Sequence, residues 1–145
     1  MDQPNGQRRP YALPAGGGWT YRLGIDFTVK AGELRPESGA AILEYASSPG
    51  DEPPDHTHPT EDELFYVLEG ALTFRCGGES FDLAQGGFIF LPRGLEHGYT
   101  LRAGARVRLL AITCPVRAGA GGWGGFVSDL ENGQGELIAP PRLGS

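Results

Sequence analysis

Short runs of β-forming residues recur along this chain at intervals close to ten residues, each closed by a turn signal, and that spacing restricts the fold more than any other feature. The runs span 19–29 (with Gly24 inside), 41–45, 63–68, 71–76, 80–83, 87–91, 97–101 and 106–114. Within them polarity alternates with the period of two that a strand requires. Leu72, Phe74 and Cys76 oppose Thr73 and Arg75, and Val107, Leu109 and Ala111 oppose Arg106 and Arg108. Such spacing belongs to an antiparallel sandwich or barrel, so the expected fold class is all-β. Glu69-Gly70 and Gly77-Gly78 fall between runs, where glycine supplies the positive φ of a two-residue hairpin, and the strands between residues 63 and 83 are expected to form a meander. No stretch sustains a 3.6-residue period, so the one expected helix is a short one near residues 126–131.

Glycine and proline argue against an ordered chain: 24 and 12 of 145 residues reach the range where composition suggests disorder. A hydrophobic content of 39% and an aromatic content of 10% argue the other way, because disordered chains lack the residues that bury apolar surface. The length suits one domain. The expected organisation is a flexible arm over residues 1–18, a β-barrel over 19–116 and a glycine-rich extension over 117–145. Mobility is expected at Gly16 to Gly18 and across residues 119–125.

Net charge is −6, and Lys30 is the single lysine beside eleven arginines, so there is no basic stripe to neutralise phosphates. No apolar stretch approaches the ~18 residues of a membrane helix, and residues 1–10 are polar. No nucleic-acid or membrane partner is expected, and the protein is expected to be cytoplasmic. Cys76 and Cys114 lack the spacing of a zinc or redox motif and read as two buried strand thiols, with a single disulfide as the alternative. Between Arg35 and Arg75 there is no basic residue but nine acids, which marks either a solvated face or a cation site.

The chemistry concentrates in the three histidines. His56 and His58 are two apart in an extended stretch, which puts both imidazoles on one face. Glu63 follows across a turn, and His97 arrives after a turn carrying Pro92 and Gly94. Three imidazoles and a carboxylate suit one divalent transition metal (Fe, Mn, Ni, Co, Cu or Zn), unlike the thiolate cages of structural zinc. An ion preferring six ligands would keep two positions open.

The glycines and proline around these residues complete a pattern that resembles the two signature motifs of the cupin superfamily. The first, G(X)5HXH(X)4E(X)6G, is matched by Gly50, His56, His58, Glu63 and Gly70; the second, G(X)5PXG(X)2H(X)3N, by Gly86, Pro92, Gly94 and His97, with Leu101 in place of the asparagine. The resemblance is tight from about residue 50 to 99 and looser from 21 to 115. It implies a cupin-type double-stranded β-helix, or jelly-roll barrel, in a small single-domain protein of quercetinase-like type. It also implies that His56, His58, Glu63 and His97 are the metal ligands and that small cupins of this kind pair as homodimers through exposed strand edges. If Glu63 and His97 face inward, strand parity brings Phe65, Val67, Tyr99 and Leu101 inward with them, with Tyr45 from the preceding strand, as an apolar and aromatic substrate pocket. Trp123 and Phe126 are candidates to close the barrel mouth. The activity expected is that of a metal-dependent enzyme on a small aromatic or polyketide-like molecule, foremost a dioxygenase, with Glu63 as general base. An oxygen-independent cyclase, isomerase or lyase and a non-catalytic binding module are the alternatives.

Overall fold

A computed structural model of the chain describes residues 10–32, 39–102, 104–114, 126–127 and 129–139. Ten strands follow in chain order: β1 (Trp19–Leu23), β2 (Ile25–Ala31), β3 (Ala41–Ser47), β4 (Asp62–Glu69), β5 (Ala71–Cys76), β6 (Glu79–Ala84), β7 (Phe88–Leu91), β8 (His97–Leu101), β9 (Val107–Cys114) and β10 (Glu136–Ala139). They form a seven-stranded sheet in the order β10-β1-β2-β3-β9-β4-β7 and a three-stranded sheet in the order β6-β5-β8. Among the described residues the strand pairings of both sheets, including β3 with β9, β4 with β9 and β5 with β8, are antiparallel. The all-β expectation therefore holds.

Alternation in sequence becomes alternation in burial. Residues 41, 43, 45 and 47 of β3, and 107, 109, 111 and 113 of β9, are buried while their neighbours are half-exposed. The same parity buries Leu72, Phe74 and Cys76. These inward faces meet in one apolar cluster that includes Leu43, Phe65, Phe74, Tyr99 and Leu109. Each such aliphatic or aromatic side chain contributes about 1.5–3 kcal/mol on burial, so the core outweighs any single polar contact. Cys76 and Cys114 are free thiols in β5 and β9, the first buried and the second half-exposed.

One expectation fails. The strands from β4 to β6 are not a meander, because β4 already pairs with β9 on one edge and β7 on the other and has no edge left for β5. Glu69-Gly70 is instead the corner at which the chain leaves the large sheet for the small one. Gly70 takes φ 92°, and a Cβ there would lie 2.8 Å from the Arg106 carbonyl oxygen. Gly77-Gly78 does form a hairpin, with φ 59° and 84°, joining β5 to β6 in register from Ala71↔Ala84 to Cys76↔Glu79.

The short helical segment is present: Phe126, Val127 and Asp129 are helical, and Leu130–Gln134 continues as a π-helical turn. Val127 and Leu130 are fully buried in the core. The strand after it, β10, was not expected. It pairs with β1, placing Leu137 opposite Tyr21, and so adds a strand to the large sheet. At the other end Tyr11 donates a hydrogen bond of 2.6 Å to the Lys30 carbonyl, and the Lys30 ammonium donates to the Gly17 carbonyl, which lays residues 11–17 along β2. Residues 119–125, where mobility was expected, lie outside the described residues. No helix among the described residues is long and apolar enough to cross a membrane.

Candidate metal centre

Glu63 is the second residue of β4 and His97 the first of β8, and both point into the barrel with 1% and 5% exposure. Glu63 is flanked in the sheet by Thr113 on β9 and Leu91 on β7. His56 lies outside the named strands but forms an isolated antiparallel bridge with His97, each amide donating to the other's carbonyl at 2.9 and 2.8 Å. His58 is held from behind, where the Gly94 amide donates to its carbonyl at 2.8 Å. Gly94 reaches that position at φ 86°, a left-handed conformation that glycine adopts without the steric cost of a Cβ.

These elements bring one donor atom from each of His56, His58, Glu63 and His97 within 4.8 Å of one another. Donors on opposite sides of an ion with bonds of about 2.0–2.2 Å stand roughly 4.2 Å apart, so closing on a metal needs only tenths of an ångström from each side chain. His58 Nε2 lies 2.6 Å from Glu63 Oε1, and His97 Nε2 lies 3.5 Å from Glu63 Oε2. Despite this proximity, His58 Nε2, Glu63 Oε1 and both ring nitrogens of His97 are buried without a well-aligned hydrogen-bond partner. Buried polar atoms are nearly always satisfied, and a cation would satisfy these together. The His56 Nδ1 faces the Pro54 carbonyl oxygen at 2.7 Å. A carbonyl only accepts, so Nδ1 carries the proton and Nε2 is left with its lone pair for a metal.

The hydrogen-bonding contact with Glu63 raises the His58 imidazole above its ordinary value of 6.5; burial opposes this, and the charges of Glu63 and Glu61 add to the rise. For Glu63, burial is the largest influence and would raise the carboxyl, but the contacts with His58 and His97 together outweigh it and hold it below 4.5. The carboxylate is thus ionised, as a candidate metal ligand must be.

His56, His58 and Glu63 open onto a cavity of about 300 Å³, at the small end of the ~300–1,000 Å³ typical of small-molecule sites. Its walls are Ile25, Phe27, Tyr45, Tyr99 and Phe126, with Asp51 and Pro53 at the side. Phe126 packs edge-on against Phe27 with ring centres 4.8 Å apart. Of the pocket residues expected from parity, Tyr45 and Tyr99 line this cavity. Phe65 lines a recess of about 20 Å³ beside Glu63 and His97, large enough for a water molecule. Val67 and Leu101 are buried in the core and line neither space. Trp123 lies outside the described residues.

Two features escaped the sequence reading. Tyr45 and Tyr99 share a hydroxyl–hydroxyl hydrogen bond of 3.0 Å, and Tyr99 donates onward to Ser47 Oγ at 3.2 Å, a polar chain in an apolar wall. Burial first, and Tyr99 second, push the Tyr45 phenol well above 10, so it stays protonated. Glu61 is a second inward acid, 1% exposed, with Thr60 Oγ1 donating to one of its oxygens. It has the parity of Glu63, two residues on, which is the signal that would have found it.

Residues 44–113 match the family model described as Cupin domain. Among curated proteins, the chain is 31% identical over 93 residues to quercetin 2,3-dioxygenase of Bacillus subtilis (strain 168), covering 63% of this chain and 28% of that protein. It is 29% identical over 99 residues to the tetracenomycin polyketide synthase protein TcmJ of Streptomyces glaucescens, covering 67% of this chain and 63% of that one. The chain therefore spans less than two thirds of the length of either relative. Among solved structures, a predicted oxalate decarboxylase from Thermotoga maritima superposes with a TM-score of 0.62 at 18% identity, over 72% of this chain and 99% of that one, a likeness of fold. With the motif residues gathered at one point inside a two-sheet antiparallel barrel and the family match laid over the same strands, residues 44–113 are similar to a cupin domain and hold a His/His/Glu/His cluster able to bind a metal ion.

Proposed function

We propose that this chain is a metal-dependent cupin enzyme acting on a small aromatic or polyketide-like molecule, and that its reaction is a dioxygenation. The observation that carries this reading is the opening of His56, His58 and Glu63 onto a cavity with aromatic walls and a hydroxyl pair. His56, His58, Glu63 and His97 would hold a divalent metal, which would supply Lewis-acid polarisation of a substrate oxygen. Phe27, Phe126 and Ile25 exclude water from the reacting face, and Tyr45 and Tyr99, the latter anchored on Ser47 behind the wall, offer a hydroxyl pair to a second polar group of the substrate. Glu63, a buried carboxylate that opens onto the cavity, would accept the proton of a substrate hydroxyl. The similarity to a quercetin dioxygenase supports the use of dioxygen as co-reactant, both of whose atoms enter the product.

A second reading, an oxygen-independent cyclisation or isomerisation at the same centre, is supported by the similarity to a polyketide synthase protein. Turnover of flavonols and polyphenolic ketones with and without oxygen separates the two. Dioxygenation predicts oxygen-dependent turnover and a product heavier by two oxygen atoms; undiminished anaerobic turnover with no mass gain would assign the second. A homodimer is part of the proposal, supported by the edge of β7, unpaired among the described residues, and the exposed Phe88 and Phe90 upon it.

A further inference from the structure

The segment between β3 and β4 carries two of the four candidate ligands, yet among the described residues its one ladder contact is the His56–His97 bridge. Two ion pairs flank those ligands. Asp55 immediately precedes His56 and receives Arg75 Nη2 at 2.7 Å and Nε at 3.3 Å. Arg75 belongs to β5, on the far side of β8, so its side chain must cross β8 to reach the loop. It crosses at Gly98, its register partner and the residue after His97. A Cβ on Gly98 would lie 2.0 Å from Asp55 Oδ1 and 3.1 Å from Arg75 Nη2, so the crossing requires glycine there. Arg75 Nη1 also donates to Thr100 Oγ1 at 2.7 Å, which ties loop, β8 and β5 together behind the site.

Asp62 immediately precedes Glu63 and is held by Arg93 in three ways: by the backbone amide at 2.9 Å, Nε at 3.1 Å and Nη2 at 3.0 Å. Arg93 stands in the turn whose Gly94 amide holds the His58 carbonyl. Both pairs are partly solvent-exposed, with side-chain exposures of 38% and 36% for the first and 49% and 25% for the second. Exposed pairs add little to global stability. Their value lies in where they stand, each one residue ahead of a ligand.

We propose that the Asp55–Arg75 and Asp62–Arg93 clasps are positioning elements of the metal centre, the first holding the loop that carries His56 and His58 against β8, the second fixing the turn that grips the His58 carbonyl to the start of β4 beside Glu63, and so setting metal affinity without touching the metal. The proposal rests on the metal reading of the site. It also accounts for part of the acidic run between Arg35 and Arg75: two of its acids are paired with arginines at and beyond the end of that run.

Co²⁺ titration of the full chain, followed by its ligand-field absorption, tests this directly. Arg75→Ala and Arg93→Ala should each weaken Co²⁺ binding about tenfold and alter the absorption band, while the metal-free melting temperature stays within a few degrees of the unsubstituted protein. Arg75→Lys, which keeps the charge, should recover most of the loss. Raising the salt concentration should weaken Co²⁺ binding more in the unsubstituted protein than in Arg75→Ala, because the exposed clasp is screened. Co²⁺ affinity within twofold of the unsubstituted protein in both alanine variants would overturn the clasp proposal, as would an Arg75→Lys variant no better than Arg75→Ala. Absence of Co²⁺ binding in the unsubstituted protein would overturn the metal reading itself, and the clasps with it.

Discussion

Glu63 and His97 reach the centre from the sheets, whereas His56 and His58 reach it from a loop, and the two halves are held by different forces. The strand half rests on β4 and β8, whose inward neighbours Phe65, Val67, Tyr99 and Leu101 are all buried. It moves only if the core moves. The loop half rests on three backbone hydrogen bonds, each worth about 0.5–1.5 kcal/mol net, on the exposed Asp55–Arg75 pair, and, through the turn that holds the His58 carbonyl, on the exposed Asp62–Arg93 pair. A centre built this way is rigid on one side and adjustable on the other. The loop can therefore yield without unfolding the barrel, and metal binding and fold stability should respond to different substitutions.

The largest effect should come from the strand half. Leu109 is fully buried on β9, in register with Tyr45 on one side and Val67 on the other. Leu109→Ala should destabilise the barrel by about 2–5 kcal/mol in urea unfolding, the usual cost of a large-to-small core change. A loss below about 1 kcal/mol would show that the core does not support this half. On the loop half, His58→Ala should weaken metal binding at least tenfold, about 1.4 kcal/mol, and abolish turnover, while lowering metal-free stability much less than Leu109→Ala does. Equal destabilisation by the two substitutions would erase the distinction.

The smallest effect is a pH dependence of opposite sign in the metal-free and metal-bound states. In the metal-free protein the raised His58 gives stability that is fully present below 6.5 and is lost as pH rises through its folded value. The lowered Glu63 gives stability that is present above 4.5 and is lost as pH falls through its folded value. Their contact therefore contributes fully between those two values and fades on either side. A metal needs both groups deprotonated, so its affinity should rise with pH across the range in which the metal-free contribution declines. Thermal melting with and without added Co²⁺ from pH 5 to 8 would show the stabilisation by metal growing with pH; a pH-independent increment would contradict the assignment of His58.

Strand positions were legible because burial on one face writes a period of two into β3, β5 and β9. The gathering of the three histidines and Glu63 was legible because their spacing is fixed by the turns between them. Pairing was not, since a glycine such as Gly70 announces positive φ without saying which strand the next one joins. Parity gave the inward side but not depth along the barrel axis, so it could not separate Tyr45 and Tyr99 at the cavity from Val67 and Leu101 in the core. The four residues of β10 are all exposed and leave no alternation to read. The Asp55–Arg75 clasp joins residues 20 apart across an intervening strand, a relation that only the folded chain shows.

The central claim is that these four side chains form one metal site, and elemental analysis of protein purified without added metals tests it most directly. One divalent transition metal per chain, lost in both His58→Ala and Glu63→Ala while the barrel remains folded, is the predicted result. Failure to retain iron, manganese, nickel, cobalt, copper or zinc even when each is supplied, or full occupancy in those variants, would contradict it.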